Sequence, residues 1–377
     1  MTELKAGQLL SEQFRDFEFT LWPTRHIQNE LDLNFRVYVT DPWPFLDYYV
    51  RRNSRKGIDG SQDALHFLRQ AEDYYRAATS ASNKAAQPVL CYYSFLNLVK
   101  SAVLCRNNKD SFEWKDKHGL TVKKSKNLKL EEQDIDAFPT GEGQYGYSIS
   151  MFDELLGFLG AERLKTQMEF SLAKILPQIL MGHRLWAAGV DKCERFCRIN
   201  NLMIMVNDRD QAVWLRIAID NSNLERCKIT GEDILQRTML GSGWTYSKYE
   251  DGRTIICEQR ESLTYSSSPL ERLQELANSI RSNLWQAAVL SPPYRKYYLY
   301  SCPQNENSQV LPQLASIYIV SYFLSSITRY RPSEYRKHVS SELGSFIVGF
   351  MNDCPKQFIY LLASEMAQRE LSSGDQI

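Results

Sequence analysis

Apolar positions recur every three or four residues between Ser61 and Ser80, at Ala64, Leu65, Phe67, Leu68, Ala71, Tyr74, Tyr75 and Ala78. That spacing predicts one amphipathic helix. A break at Ala81–Asn83 leads into a second apolar run, Ala85–Leu104, carrying Val89, Leu90, Tyr92, Tyr93, Leu96, Val99 and Val103. Pro88 suits only a first helical turn, so the second helix should begin beside it. Two long helices joined this closely fold back on each other as an antiparallel hairpin.

The far end of the chain repeats the helical pattern. Leu311–Ile327 is the most apolar stretch, but Gln313, Ser316, Ser321, Ser325 and Ser326 interrupt it. It reads as a buried central helix rather than a membrane span. Arg329-Tyr330-Arg331-Pro332 should close it, because a residue before proline is pushed out of the α region. Ser333 is placed to cap a helix from Glu334 to about Met351, and Pro355 to open the last one.

The period changes in the middle. Met151–Leu159 predicts a short helix. Leu202–Val206 and Val213–Ile219 then read as strands either side of a turn holding Asp208 and Asp210. Trp244–Tyr249 and Thr254–Glu258 flank Asp251-Gly252, a hairpin signal because glycine tolerates positive φ. A helix over Leu270–Ala288 and an edge or closing strand at Tyr297–Tyr300 complete this section. Earlier, the prolines of the first sixty residues predict broken elements, and Arg51, Arg52, Arg55 and Lys56 a basic loop. Order weakens from Lys115 to Ser150, where the glycines around Gly141 serve turns; the stretch lacks the Gly-Lys-Ser/Thr ending of a phosphate loop.

These patterns predict a mainly α fold, a helical bundle with an α+β middle section of antiparallel strands and a hairpin. The segments are 1–60, aromatic-rich; 61–198, helical; 199–304, α+β; 305–371, helices packing on the 61–104 hairpin; and a frayed tail, 372–377.

Charge narrows the function classes. Lys plus Arg and Asp plus Glu are 45 each, a formal net charge of +0. No global field draws the chain to nucleic acid or an anionic membrane. Lys115, Lys117, Lys123, Lys124, Lys126 and Lys129 concentrate positive charge, but Glu131, Glu132, Asp134 and Asp136 follow at once. The opening residues lack an apolar signal core, so a cytoplasmic location without a membrane partner is expected. Of the eight cysteines only Cys193 and Cys197 are close in sequence, and no CxxC occurs. Reduced, partly buried thiols are expected, with no metal and no cofactor. A nucleophile elbow and a dinucleotide fingerprint are also missing.

The hairpin text AEDYYRAATS…PVLCYYSFLNLVKSAVL, the following His118-Gly119-Leu120, the YYLY at Tyr297 and the late SYFLSSITRYRPSEY resemble the YaaC-like family over most of the chain. The hairpin is more distantly similar to the first helices of HEPN domains. That resemblance implies a HEPN-like helical scaffold in a prokaryotic defence or stress-response system; with no convincing reactive set in the sequence, a non-catalytic protein that binds protein, a second copy, nucleotide or nucleic acid is expected. Active HEPN members carry an Arg, four to six residues, then a His. Arg331 and His338 satisfy this spacing, so a metal-independent ribonuclease is the alternative, with imidazole handling the 2′-OH proton and guanidinium the phosphorane charge. Pro332 departs from the pattern, and the pair lies far from the hairpin. A self-associating structural protein, suggested by the 21 tyrosines, is the third reading. Candidate anion contacts are Arg51, Arg52, Lys56, His118, Lys123, Lys124, Lys126 and Arg329. His66 is expected in a hydrogen-bonded packing role, and Arg329 and Arg331 with Glu334 in an ion-pair knot.

Overall fold

Helices dominate the chain, and strands, most of them antiparallel, gather in its middle. The computed structural model describes residues 4–14, 19–23, 36–54, 61–80, 84–107, 116–123, 128–143, 146–248, 252–288, 296–303 and 310–373. They fall into two units, each assembled from pieces distant in sequence. One is a sheet unit from Met1–Tyr38, Cys193–Ser308 and Gln368–Ile377; the other is a helical unit from Val39–Lys192 and Gln309–Ala367. The division at Tyr38 differs from the boundary expected near residue 60, since the helix after it packs on the hairpin.

The helices of the helical unit are α1 (Pro42–Ser54), α2 (Ser61–Ser80), α3 (Gln87–Asn107), α4 (Met151–Phe158), α5 (Gln313–Tyr330), α6 (Pro332–Val339) and α7 (Gly344–Ala367). The antiparallel pair α2–α3 is tied by Ser94 Oγ donating to Ala71 O at 2.7 Å. The other faces of α3 pack on α5 and α7, and Phe95 stacks on Phe358 with ring centroids 4.1 Å apart. The helical stretch 84–106 is long and apolar enough to cross a membrane, and 78% of that window is buried by its neighbours. Burying each large apolar side chain there contributes roughly 1.5–3 kcal/mol.

Prolines sit differently from expectation. Pro42 and Pro44 do not break the chain: they occupy the first turn of α1, where no N–H is needed, and Asp41 Oδ1 accepts from Trp43 N at 3.2 Å. Pro332, rather than Ser333, begins α6, with Arg331 at the N-cap. Pro355 does not open a helix; it lies inside α7, and the break falls at 340–343 instead. A mid-helix proline orphans the carbonyl four residues back. That carbonyl, Met351 O, accepts from Gln87 Nε2 of α3 at 3.3 Å, which offsets the loss.

Two small sheets fill the region expected to be weakly ordered. One orders Leu120–Val122, Asp134–Ala137 and Met168–Ser171; the other orders Asp116–Lys117, Gly146–Ser150 and Gly141–Gly143. Their strands are two to five residues long, too short to show a period in sequence.

In the sheet unit the main sheet runs Gln8–Leu9, Asn201–Asn207, Ala212–Asp220, Thr254–Gln259, Trp244–Lys248, all antiparallel. Val213, Leu215, Ile217 and Ile219 alternate into its core, as a period of two requires. The helix expected to reach Ala288 ends at Arg281, and Leu284–Ala287 is a strand. All four of its residues are buried, so no alternation reveals it. Lys296–Tyr300 is correspondingly not an edge but the central strand between Leu284–Ala287 and Phe196–Arg198. Glu370–Ser372, expected as helix end and tail, pairs in parallel with Arg36–Tyr38.

Candidate binding cleft

Residues Tyr93, Leu96 and Lys100 recur at three- and four-residue intervals on α3, so they share one face. That face forms a wall of a cleft of about 950 Å³. The rest of the lining comes from residues 116–121, Phe138 and Pro139, and Gly141 and Gly146 of the second small sheet. The volume falls within the range of small-molecule sites.

His118 enters this cleft from the link between strands Asp116–Lys117 and Leu120–Val122. The link is rigid. Phe152 N donates to His118 O at 3.3 Å, and Phe138 N to Gly119 O at 2.9 Å. Gly119 adopts φ +77°, and a Cβ there would overlap Ser150 Oγ. The same hydroxyl accepts from Asp153 N at 3.3 Å and so caps α4. One serine therefore lies against the turn beside His118 and caps the helix that follows it.

The imidazole is set among tyrosines. His118 Nδ1 is 2.7 Å from Tyr92 Oη, which is 3.3 Å from Tyr318 Oη. The rings of Tyr92, Tyr322 and Tyr93 lie 5.5, 5.8 and 6.4 Å from the His118 ring. Burial pushes the Tyr92 and Tyr318 phenols well up and Tyr322 to about 12, so all three stay protonated at neutral pH. Burial also lowers His118 below its ordinary 6.5; Arg329 and Lys100 push the same way, and Asp116 opposes them. A neutral ring results. With Tyr92 at Nδ1, His118 Nε2 makes no hydrogen bond among the described residues.

Cations flank the ring. Arg329 Nη1 donates to Tyr93 Oη at 2.8 Å, and its guanidinium lies 5.4 Å from the Tyr93 ring centroid and 5.0 Å from that of Tyr330. Its Nε is buried without a hydrogen-bond partner among the described residues. Lys100 pairs with Asp116 and sits 4.9 Å over the Phe67 ring. Along the cleft Lys100 and Lys117 are balanced by Asp116 and Glu142.

The other expected contacts do not gather here. Arg51 and Arg52 are exposed on the last turn of α1 rather than in a loop, and Arg51 pairs with Asp47 at 2.6 Å. Lys123 pairs with Asp136 and Glu169, while Lys56, Lys124 and Lys126 lie outside the described residues. Arg331 and His338 converge on Glu334, at 3.1 and 3.7 Å. His338 is 5% exposed, with Phe323 beside it, and burial lowers its pKa against the pull of Glu334. Neither residue lines the cleft. Arg329 is not in that knot, because its guanidinium is on Tyr93. His66 is exposed on α2 rather than packed. Asp208 serves its turn, accepting from Tyr265 Oη at 2.9 Å. Among the described residues no group of three His, Cys, Asp or Glu could hold a metal.

The family model for the YaaC-like protein matches residues 29–366, spanning both ends of the cleft. The chain belongs to the YaaC-like family. No curated protein and no solved structure matches it. The site of this YaaC-like chain is partly legible in the sequence: His118-Gly119-Leu120 stands out, whereas Tyr93 reads only as helix stripe and Lys100, Tyr318 and Tyr322 carry no signal of their own. The adjacent tyrosines Tyr92 and Tyr93 were the available signal, since neighbours on a helix point about 100° apart and one of the two must leave the core seam.

Proposed function

We propose that this YaaC-like protein is a non-catalytic binding protein whose helical unit takes a heteroaromatic ligand of nucleoside or nucleoside monophosphate type. The observation that carries the reading is the unpartnered His118 Nε2 at a cleft walled by Tyr93, Phe138 and Pro139. A planar ring stacks on such a wall, contributing about 1–3 kcal/mol per base, and the neutral imidazole offers it one directed hydrogen bond. The balanced charges of the cleft favour a ligand with few charges over a nucleic-acid backbone, which needs an unopposed basic track.

Thermal unfolding and calorimetric titration of the full chain with adenosine, guanosine, their monophosphates and a single-stranded RNA oligonucleotide test this. A nucleoside or monophosphate should raise the midpoint, the RNA should not, and His118→Ala and Tyr93→Ala should each weaken binding by about tenfold or more. No response to any nucleoside or monophosphate at millimolar concentration refutes the reading.

A further inference from the structure

The sheet unit holds a feature outside the cleft. Cys197 and Cys227 are 30 residues apart in sequence, yet their sulfurs lie 3.3 Å from each other. Cys197 is on the strand Phe196–Arg198, paired with Leu299. Cys227 ends the helix Asn221–Cys227, whose turn is fixed by Lys228 in the left-handed region and by Ile229 N donating to Leu224 O at 3.1 Å. The two elements are already tied, since Asn223 Nδ2 donates to Arg198 O at 3.3 Å. Both thiols are in the apolar core, 0% and 3% exposed. Cys91, Cys105, Cys257 and Cys354 are buried as well, but among the described residues none of them has a sulfur in hydrogen-bond contact.

We propose that Cys197 and Cys227 are an oxidant-responsive pair that closes to an intramolecular disulfide and clamps the strand to the helix. A disulfide needs its sulfurs at about 2.05 Å, and here two held elements already bring them to 3.3 Å. With a hydroperoxide as oxidant, one thiolate attacks a peroxide oxygen and becomes a sulfenic acid as the O–O bond breaks. The second thiol then attacks that sulfur and expels water. Two thiols lose two electrons and two protons, and hydrogen peroxide leaves as two waters. The hydrogen bond to Cys227 and burial hold the Cys197 thiol up, while Arg226 and Arg237 act the other way. The reduced pair is therefore stable at neutral pH, and closure quickens in alkali, where thiolate is more abundant.

The test uses the full chain, oxidised with hydrogen peroxide, quenched, denatured in excess alkylating agent and mapped by mass spectrometry. Expected are two fewer alkylated thiols, a dithiothreitol-reversible peptide joining Cys197 to Cys227, and a thermal midpoint for the sheet unit raised by roughly 5–10 °C. Cys227→Ser should abolish both the linked peptide and the rise. The proposal is overturned if the two thiols stay alkylatable while Cys193 and Cys302 oxidise, or if the linked peptide joins other cysteines. The wild-type map decides the matter even where the variant does not fold.

Discussion

An imidazole with Nδ1 held by a tyrosine and Nε2 open is defined by its surroundings more than by its own chemistry. Burial lowers the pKa of His118, and it does the same to His338 despite Glu334. In the unfolded chain both rings take up protons near 6.5, whereas the folded chain resists protonation until lower pH. Between those values the unfolded state binds more protons, so stability rises with pH across the window. It is complete above about 6.5 and is lost as pH falls through the lowered folded values. Urea unfolding at pH 7.5 and 5.5 should show the loss, and His118→Gln should flatten it; an unchanged pH slope in that variant would remove His118 from this account. His118 itself was legible as a polar residue beside a glycine after a basic stretch. Its tyrosine shell was not, because the shell comes from α3 and α5, more than two hundred residues apart in the chain.

Elements in this chain are set by contacts that periodicity does not contain. The amphipathic stripe of α2 and the alternation of Ala212–Asp220 are written in their own residues, and both formed where the pattern placed them. Leu284–Ala287 is buried throughout, and α7 runs through Pro355 because Gln87, from another helix, serves Met351 O. Tertiary partners decide such cases. The turn at Gly119 shows how narrow the tolerance is. Gly119 and Gly160 share a left-handed backbone, φ +77° and +73°, but only the first has a neighbour where a Cβ would go. Gly160→Ala should cost about 1 kcal/mol, the backbone penalty alone. Gly119→Ala should cost about 2–3 kcal/mol, because Ser150 must also move, loosening the α4 cap. Chemical denaturation of both variants checks the difference, and equal losses would show that Ser150 yields freely.

For the whole molecule the decisive fact is interleaving: each unit draws on both sides of the other in sequence. Helical propensity announced the hairpin and the late helices but not which strands share a unit with the chain ends, since the pairing of Arg36–Tyr38 with Glu370–Ser372 involves three residues on each side. A fragment covering 39–192 lacks α5 and α7, leaving the buried faces of α3 uncovered. It should therefore be insoluble or molten by near-ultraviolet circular dichroism, and co-expression with 309–367 should restore fixed tertiary signals. A well-folded 39–192 fragment would mean that α3 needs neither later helix.

The same interleaving bears on how the chain is made. On the order of two hundred residues separate α3 from α5, and at about 5–20 residues per second the ribosome needs about 10–40 s to deliver them. Through that interval a helix greasy enough for a bilayer waits without its covering partner, its apolar face unshielded until α5 arrives.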